Sequence, residues 1–358
     1  MKSYLFVGEA NSKNLGDSVI CNLTLQLARK ELQDQADYLL FDISCARYTL
    51  VGRLLSKLKQ ICNIDLFSSY QFVYTYLRAF FVVNKSTTIV FVGGEIFLDY
   101  FINAIFALLS LSDRKGLNVR FHSCGVGKMS EKSNLRFLQY LKSVKLECFT
   151  LRDGIKYYQS VIPNVRQIPD IAICANEFYL SSPKSKKIGW GVINVESYNF
   201  NYPDNPISLE EYLLMSEFAI REILALGYDV EIFTNGSPID YVVAESLHDR
   251  FNQLLTLAAR PKNDRDLVSL ISKYNIVIAS RLHALILSYS YEIPFVGIVW
   301  DAKVEEFANQ VGYSNRVYRM NSLPNINWSS ALEEIRENRI LKNDLLISQV
   351  HEQIKTLQ

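Results

Sequence analysis

Residues 276–297, IVIASRLHALILSYSYEIPFVG, constrain the fold more than any other stretch of the chain. An apolar β-type run, Ile276-Val277-Ile278-Ala279, ends in Ser280-Arg281-Leu282-His283. An apolar helix-like segment over 284–291 follows, and then a second strand over 294–299. A strand–turn–helix–strand unit of this kind belongs to an open α/β sheet. Ligands bind beyond the carboxyl ends of such strands, where loop backbone and helix N-termini converge. Arg281 at a helix start adds a fixed cation to the positive end of the dipole, which suits a phosphate or carboxylate. His283, one of four histidines, is a side chain of the type that moves protons near neutral pH. The plainer reading makes Arg281 a surface ion pair and His283 a hydrogen-bonded core residue. The setting between two buried strands favours a ligand site.

At 358 residues the chain is too long for one ordinary core and fits two domains of roughly 170–190 residues. The net charge of +1 gives no global reason to expect nucleic acid. Cys21, Cys45, Cys62, Cys124, Cys148 and Cys174 all lie in the first half, with no C-x-x-C pair, so buried free thiols in a reducing compartment are expected. The apolar run in MKSYLFVGEAN is too short for a signal peptide. The apolar region 89–111 is interrupted by Gly93, Gly94, Glu95 and Asp99, which argues against a spanning helix. A cytoplasmic protein is expected. No metal site is expected either, because the histidines are scattered and no carboxylate cluster has ligand spacing.

Strands are expected over 4–8, 38–41, 88–92, 118–123, 147–150 and 165–168, with helices over 15–32, 96–111 and 134–143. A long helical region rich in aromatics and basic residues is expected over 47–82. The polar stretch Ser181-Ser182-Pro183-Lys184-Ser185-Lys186-Lys187 reads as a linker. Alternation then restarts: strands over 188–193 and 229–233, and helices over 209–226, 239–251 and 264–273; the opening motif and residues 301–310 follow, with Lys303 expected on the loop after 295–299. Residues 328–357 look largely helical. The expectation is an α/β protein with an N-terminal Rossmann-like domain over 1–182, a second over 183–325 and a helical segment over 326–358. The two Rossmann-like domains would face each other across a cleft, as in the GT-B architecture.

Strands of the first half repeatedly end in small or polar residues. Asn14-Leu15-Gly16-Asp17 follows the first strand, and Gly93-Gly94-Glu95 follows TIVFV. Gly125-Val126-Gly127-Lys128 follows VRFHSC, and Arg152-Asp153 and Pro169-Asp170 follow later strands. Each alone is an ordinary turn, cap or ion pair; several at one sheet edge make a lined cleft. Asn14, Gly16, Asp17, Gly93, Gly94, Glu95, Gly125, Gly127, Arg152 and Asp170 are therefore the candidate cleft residues.

With these pieces in order (N-L-G-D, V-G-G-E, G-V-G, L-R-D, P-D-I-A, then S-R-L-H, I-P-F-V-G-I and D-A-K-V-E-E-F), the chain resembles the polysaccharide pyruvyltransferase family over about residues 3–312. The S-R-L-H block with its following proline and D-x-K-V is the most specific part. The resemblance implies a GT-B-like enzyme that takes phosphoenolpyruvate as donor and attaches pyruvate to a sugar as a ketal. The acceptor would be a bacterial capsule, exopolysaccharide or cell-wall glycan, or its lipid-linked precursor, and no cofactor is implied. It makes Arg281 and His283 catalytic, and Ser280, Arg281, Leu282, His283 and Lys303 donor-binding. It puts the donor in the second domain and the acceptor on the first. Two positions depart from the family pattern: Glu95 replaces a frequent third glycine, and Ile193-Asn194 stands where an arginine is usual.

Phosphoenolpyruvate carries phosphate and carboxylate, so its site needs cations and backbone donors. Other functions on the same fold are a nucleotide-sugar glycosyltransferase or a non-catalytic glycan-assembly protein. Finally, RLLSKLKQI over 53–61 has the pattern of a basic amphipathic helix. The plainer reading is a domain-packing helix with a solvated basic face; the alternative is peripheral contact with the inner face of the membrane.

Overall fold

Short β-branched and aromatic runs separated by amphipathic stretches fold as parallel strands with helical crossovers, since only a crossover returns the chain to start a parallel neighbour. The computed structural model describes residues 2–32, 36–62, 65–252 and 254–357, with the backbone alone at Cys62. They form two units. Unit 1 comprises Met1–Ser12, Ile20–Ile171 and Leu345–Gln358; unit 2 comprises Lys13–Val19 and Ala172–Asp344.

Unit 1 carries β1 (Lys2–Gly8), α1 (Leu15–Leu32, whose first turn belongs to unit 2), β2 (Ala36–Asp42), α2 (Cys45–Tyr48), α3 (Leu50–Cys62) and α4 (Phe67–Phe80). It continues with β3 (Thr87–Val92), β4 (Glu95–Phe97), α5 (Ile102–Lys115), β5 (Asn118–Val126), α6 (Glu131–Ser143), β6 (Lys145–Leu151), α7 (Ile155–Tyr158) and β7 (Arg166–Gln167). The strands lie in the order β2-β1-β3-β5-β6-β7, all parallel, with β4 added alongside β5. Strand order reverses between β1 and β3, where Val7 is in register with Phe91. On one face Phe91 and Phe121 stack with centroids 4.5 Å apart, and Phe97, Phe137, Phe149 and Tyr158 complete an aromatic core.

The helix expected over 96–111 starts later. Gly94 accepts from the Gly125 N–H at 2.8 Å and Phe97 from the Gly127 N–H at 3.1 Å, so this backbone bonds sideways into the sheet and cannot enter a helix. Helix α5 begins at Ile102. The 47–82 region divides into three helices, α2 to α4.

Unit 2 carries β8 (Ile188–Gly191), α8 (Val195–Asn201), α9 (Leu209–Ala225), β9 (Val230–Phe233), α10 (Pro238–Asp249), β10 (Thr256–Leu257), α11 (Asp264–Ser272), β11 (Ile276–Ala279) and α12 (Leu282–Ser290). It ends with β12 (Phe295–Val299), α13 (Ala302–Gln310), β13 (Val317–Arg319) and α14 (Trp328–Glu337); α15 (Asp344–Lys355) lies almost wholly in unit 1. The sheet order is β10-β9-β8-β11-β12-β13, all parallel. Every residue of β8, β9, β11 and β12 is buried, which requires cover on both faces. Chain direction across the sheet reverses between β8 and β11. That reversal is a topological switch point, and it sets where a ligand can reach backbone from both sides.

Cys21, Cys124 and Cys174 are buried and Cys45 and Cys148 half-buried, none of them in a disulfide; the Cys62 side chain lies outside the described residues.

Candidate active site

In unit 2 the chain leaving β11 turns at Ser280, whose N–H donates to the Gly191 carbonyl of β8 at 3.2 Å. This bond ties the two strands together at the switch point. Ser280 is buried. Below it the Tyr212 phenol of α9 accepts from the Ile193 N–H at 3.4 Å and bonds Ser280, and burial pushes its pKa up to about 12, so it stays protonated and can donate.

Arg281 is the N-cap residue of α12, and its own side chain does not cap that helix end. Its guanidinium reaches sideways to α10 instead. Nε donates to Asp240 Oδ2 and Nη2 to Asp240 Oδ1, both at 2.8 Å. Asp240 has no solvent exposure, and its Oδ1 also accepts the Asn194 N–H at 2.9 Å. A buried carboxylate thus holds the arginine in one orientation by two charge-assisted bonds. Asn194, at the position of the usual family arginine, brings no cation; its side chain caps α8 by accepting from the Glu196 N–H at 3.0 Å.

Beyond β12, the Trp300 indole lies 5.4 Å from Arg281 Cζ and 4.4 Å from Lys303 Nζ, so both cations rest on one aromatic surface. Lys303 is also 3.7 Å from Asp301 Oδ2, which accepts from Asn201 Nδ2 at 2.8 Å. Asp301 Oδ1 caps α13 through the Lys303 N–H at 3.0 Å.

His283, the second residue of α12, is 4% exposed, and Leu282 beside it is buried. The N-terminal turn Asn14-Leu15-Gly16-Asp17 sits with them, because Lys13–Val19 belongs to unit 2. The Leu15 N–H donates to the Asn235 carbonyl at 3.0 Å, just past β9, and Gly16 lies against the His283 ring. Asn14 Nδ2 bonds Asp17 Oδ2 at 3.3 Å. The Asn235 side chain is buried with no partner on either polar atom.

The other candidates gather in unit 1. Gly93, Gly94 and Glu95 follow β3, and Gly125 and Gly127 end or follow β5; the Gly125 backbone passes close to the Arg152 guanidinium. Arg152 is 6% exposed. Its Nη1 is 2.5 Å from Asp170 Oδ2, and its Nε is 3.0 Å from Asp153 Oδ2. Such a group braces the ends of β6 and β7.

The sequence reading missed Asp240, Asn235, Trp300 and Tyr212. Asp240 has an ordinary explanation in sequence, an acid in the first turn of α10 after Ser237-Pro238, so nothing there links it to Arg281. Trp300 could have been found, since it directly precedes the D-x-K-V block.

Solved structures with the same architecture include enzymes that act on UDP-sugars or form UDP. The UDP-GlcNAc 2-epimerase of Neisseria meningitidis matches with a TM-score of 0.60 at 12% identity, covering 100% of this chain and 100% of that one. That of Methanocaldococcus jannaschii matches at 0.55 and 10% identity, covering 100% and 99%. The UDP-forming trehalose-phosphate synthase of Burkholderia vietnamiensis matches at 0.53 and 9%, covering 99% and 95%. No curated protein matches the chain's sequence. At such identities the likeness fixes the fold alone: two Rossmann-like units of the GT-B class. The family is fixed separately. The chain belongs to the polysaccharide pyruvyl transferase family, whose model matches residues 14–302.

Proposed function

We propose that the protein transfers the pyruvyl group of phosphoenolpyruvate to a sugar of a bacterial surface polysaccharide, or of its lipid-linked precursor, as a ketal. One observation carries this reading: Arg281 and His283 stand at the carboxyl end of β11, at the switch point of the sheet and within the family-matched span. The Asp240 clamp uses Nε and Nη2 of Arg281, leaving the Nη1 edge for a donor oxygen. The N-terminus of α12 and Lys303 add positive potential.

In the reaction, C3 of the donor gains a proton and becomes a methyl group. One acceptor oxygen bonds to C2, the C2–O bond to phosphate breaks, and the second acceptor oxygen bonds to C2. Of the two hydroxyl protons, one ends on C3 and the other leaves with phosphate. His283 is assigned this proton traffic, a role typically worth about 10²–10⁴-fold in rate. No step requires a metal.

Phosphoenolpyruvate should raise the melting temperature, and UDP-GlcNAc should not. Arg281→Ala should weaken donor binding by about 1.5–3 kcal/mol in calorimetric titration, the value of a charge-assisted contact. His283→Asn should bind the donor normally and lose phosphate release. Stabilisation by the nucleotide sugar alone would move the assignment to glycosyl transfer, and full phosphate release by His283→Asn would remove the histidine from catalysis.

A further inference from the structure

Helices α3 and α4 of unit 1 each expose a set of large apolar residues, although Phe72 and Tyr76 of α4 pack against the core. In α3, Leu50, Val51, Leu54, Leu58 and Ile61 fall on one face of a 3.6-residue period, and all are exposed; Leu50 is 71% exposed and Ile61 79%. The face turned to the protein holds Gly52 instead, where a Cβ would come within 2.0 Å of the Ala46 carbonyl oxygen. Helix α4 repeats the inversion. Gln71, Thr75 and Ala79 are buried, while Val73, Leu77 and Phe80 are exposed, and Phe81 just beyond is 82% exposed. Gln71 is fixed inward by its bond to the Tyr100 carbonyl at 3.1 Å. A helix pair that only packed against its own domain would place these residues the other way round.

The charge beside this surface is one-sided. Arg53 and Lys57 are exposed and flank the apolar stripe of α3, Lys59 lies on the same helix and Arg78 on α4; between residues 50 and 81 the only acid is Asp65, paired with Lys59 at 2.6 Å. The whole chain carries only +1, so this excess is local. A cavity of about 390 Å³ in the same unit is lined by Arg47, Lys59, Phe67, Gln71 and Tyr100 among others, with Arg47 Cζ 4.0 Å over the Tyr100 ring. Among the described residues no helix is long and apolar enough to cross a membrane.

We infer that the α3–α4 face rests on an anionic lipid bilayer, its apolar stripe among the acyl chains and its basic residues at the headgroups. A helix lying in the interface uses this combination: an apolar face buried by about 5–10 Å, with cations drawn to acidic lipid. A second copy of the same face would bring like charges together across a two-fold axis, which opposes self-association. The inference rests on the surface alone and holds whichever donor the protein uses.

The test is flotation of the full chain with vesicles of phosphatidylcholine alone and of phosphatidylcholine mixed with phosphatidylglycerol, at low and high salt. Binding is expected to the mixed vesicles only and to fade as salt rises. Replacing Arg53, Lys57 and Lys59 by Gln should weaken binding about 100-fold, at about fivefold per charge, with an unchanged circular dichroism spectrum and melting temperature. Leu54→Ser with Leu58→Ser and Ile61→Ser should abolish it. Failure to float with the mixed vesicles at low salt overturns the inference, as does equal binding to both vesicle types. A wild-type dimer in light scattering that the three serine substitutions convert to monomer would assign the face to a second copy instead.

Discussion

Gly16 lies against the imidazole of His283 so closely that a Cβ on its α-carbon would sit 2.1 Å from Nδ1 and 2.5 Å from the His283 Cβ. The second distance matters more. Ring rotation would relieve the first, but the histidine's own Cβ cannot move without its helix. The turn from Asn14 to Asp17 therefore forms one wall of the imidazole's seat, and only glycine fits the wall at its middle.

Gly16→Ala should shift His283 without removing any titratable group from the site. Overpacking of this kind costs about 1–3 kcal/mol of stability. A displacement near 1 Å in a catalytic group costs about 100-fold in rate. The expected result is a folded variant with a modestly lower melting temperature, near-normal donor affinity and a large loss of phosphate release. Wild-type turnover in a well-folded Gly16→Ala protein would show that the position of the ring does not limit the reaction.

The Arg281–Asp240 pair makes a second prediction, read as a thermodynamic cycle. Asp240 has no solvent exposure and Arg281 has 15%, so removing either partner strands the other. Arg281→Ala should cost about 3 kcal/mol of folding stability, because a fully buried carboxylate loses both guanidinium bonds. Asp240→Ala should cost somewhat less, since the freed arginine can turn toward water. The double variant should be no less stable than Arg281→Ala alone, because neither charge is then left uncompensated. Denaturant unfolding of the four proteins gives the coupling; additive losses would mean the pair contributes no net interaction. Asp240→Ala should also weaken phosphoenolpyruvate binding without removing any cation, which separates positioning of Arg281 from its charge.

Much of this architecture was legible in the chain. Helix α1 has the expected bounds, 15–32, because no proline interrupts the run and its one glycine falls in the first turn. What escaped the sequence reading was short or non-local. β10 and β13 have two and three residues, too few to display an alternation. β4 hid in an apolar run whose period suits helix and strand alike, and only lateral bonds to Gly125 and Gly127 decide the matter. In the candidate site, Arg281 and His283 were visible because they interrupt an apolar β-α-β pattern. Asp240 was not, because its partnership with a residue 41 positions away depends on the order of the strands. The same limit hid the grouping of the Asn14–Asp17 turn with His283. Sequence placed that turn with the first domain, and chain contacts group it with unit 2.

His122 takes no part in the proposed chemistry, yet its burial makes stability depend on pH. It stands in β5 opposite Val92, is 3% exposed, and neither ring nitrogen has a hydrogen-bond partner. Burial, with a smaller contribution from the Arg120 charge, lowers its pKa from 6.5 to about 3. In the unfolded chain the ring binds a proton as pH falls through 6.5, while in the folded protein it stays neutral until about pH 3. The unfolded state therefore binds more protons throughout that window, and stability must fall with pH, by up to about 1.4 kcal/mol per pH unit. His122→Leu removes this slope along with two unsatisfied polar atoms, so at neutral pH it should be within about 1 kcal/mol of wild type or more stable. Urea unfolding at about pH 7, 5.5 and 4.5 should show wild type losing ground to the variant at each step. Carboxylates that titrate in the same range act on both proteins and cancel in the difference. A difference that stays flat from neutral pH to about 4.5 would mean that the folded protein protonates His122 as readily as the unfolded chain does.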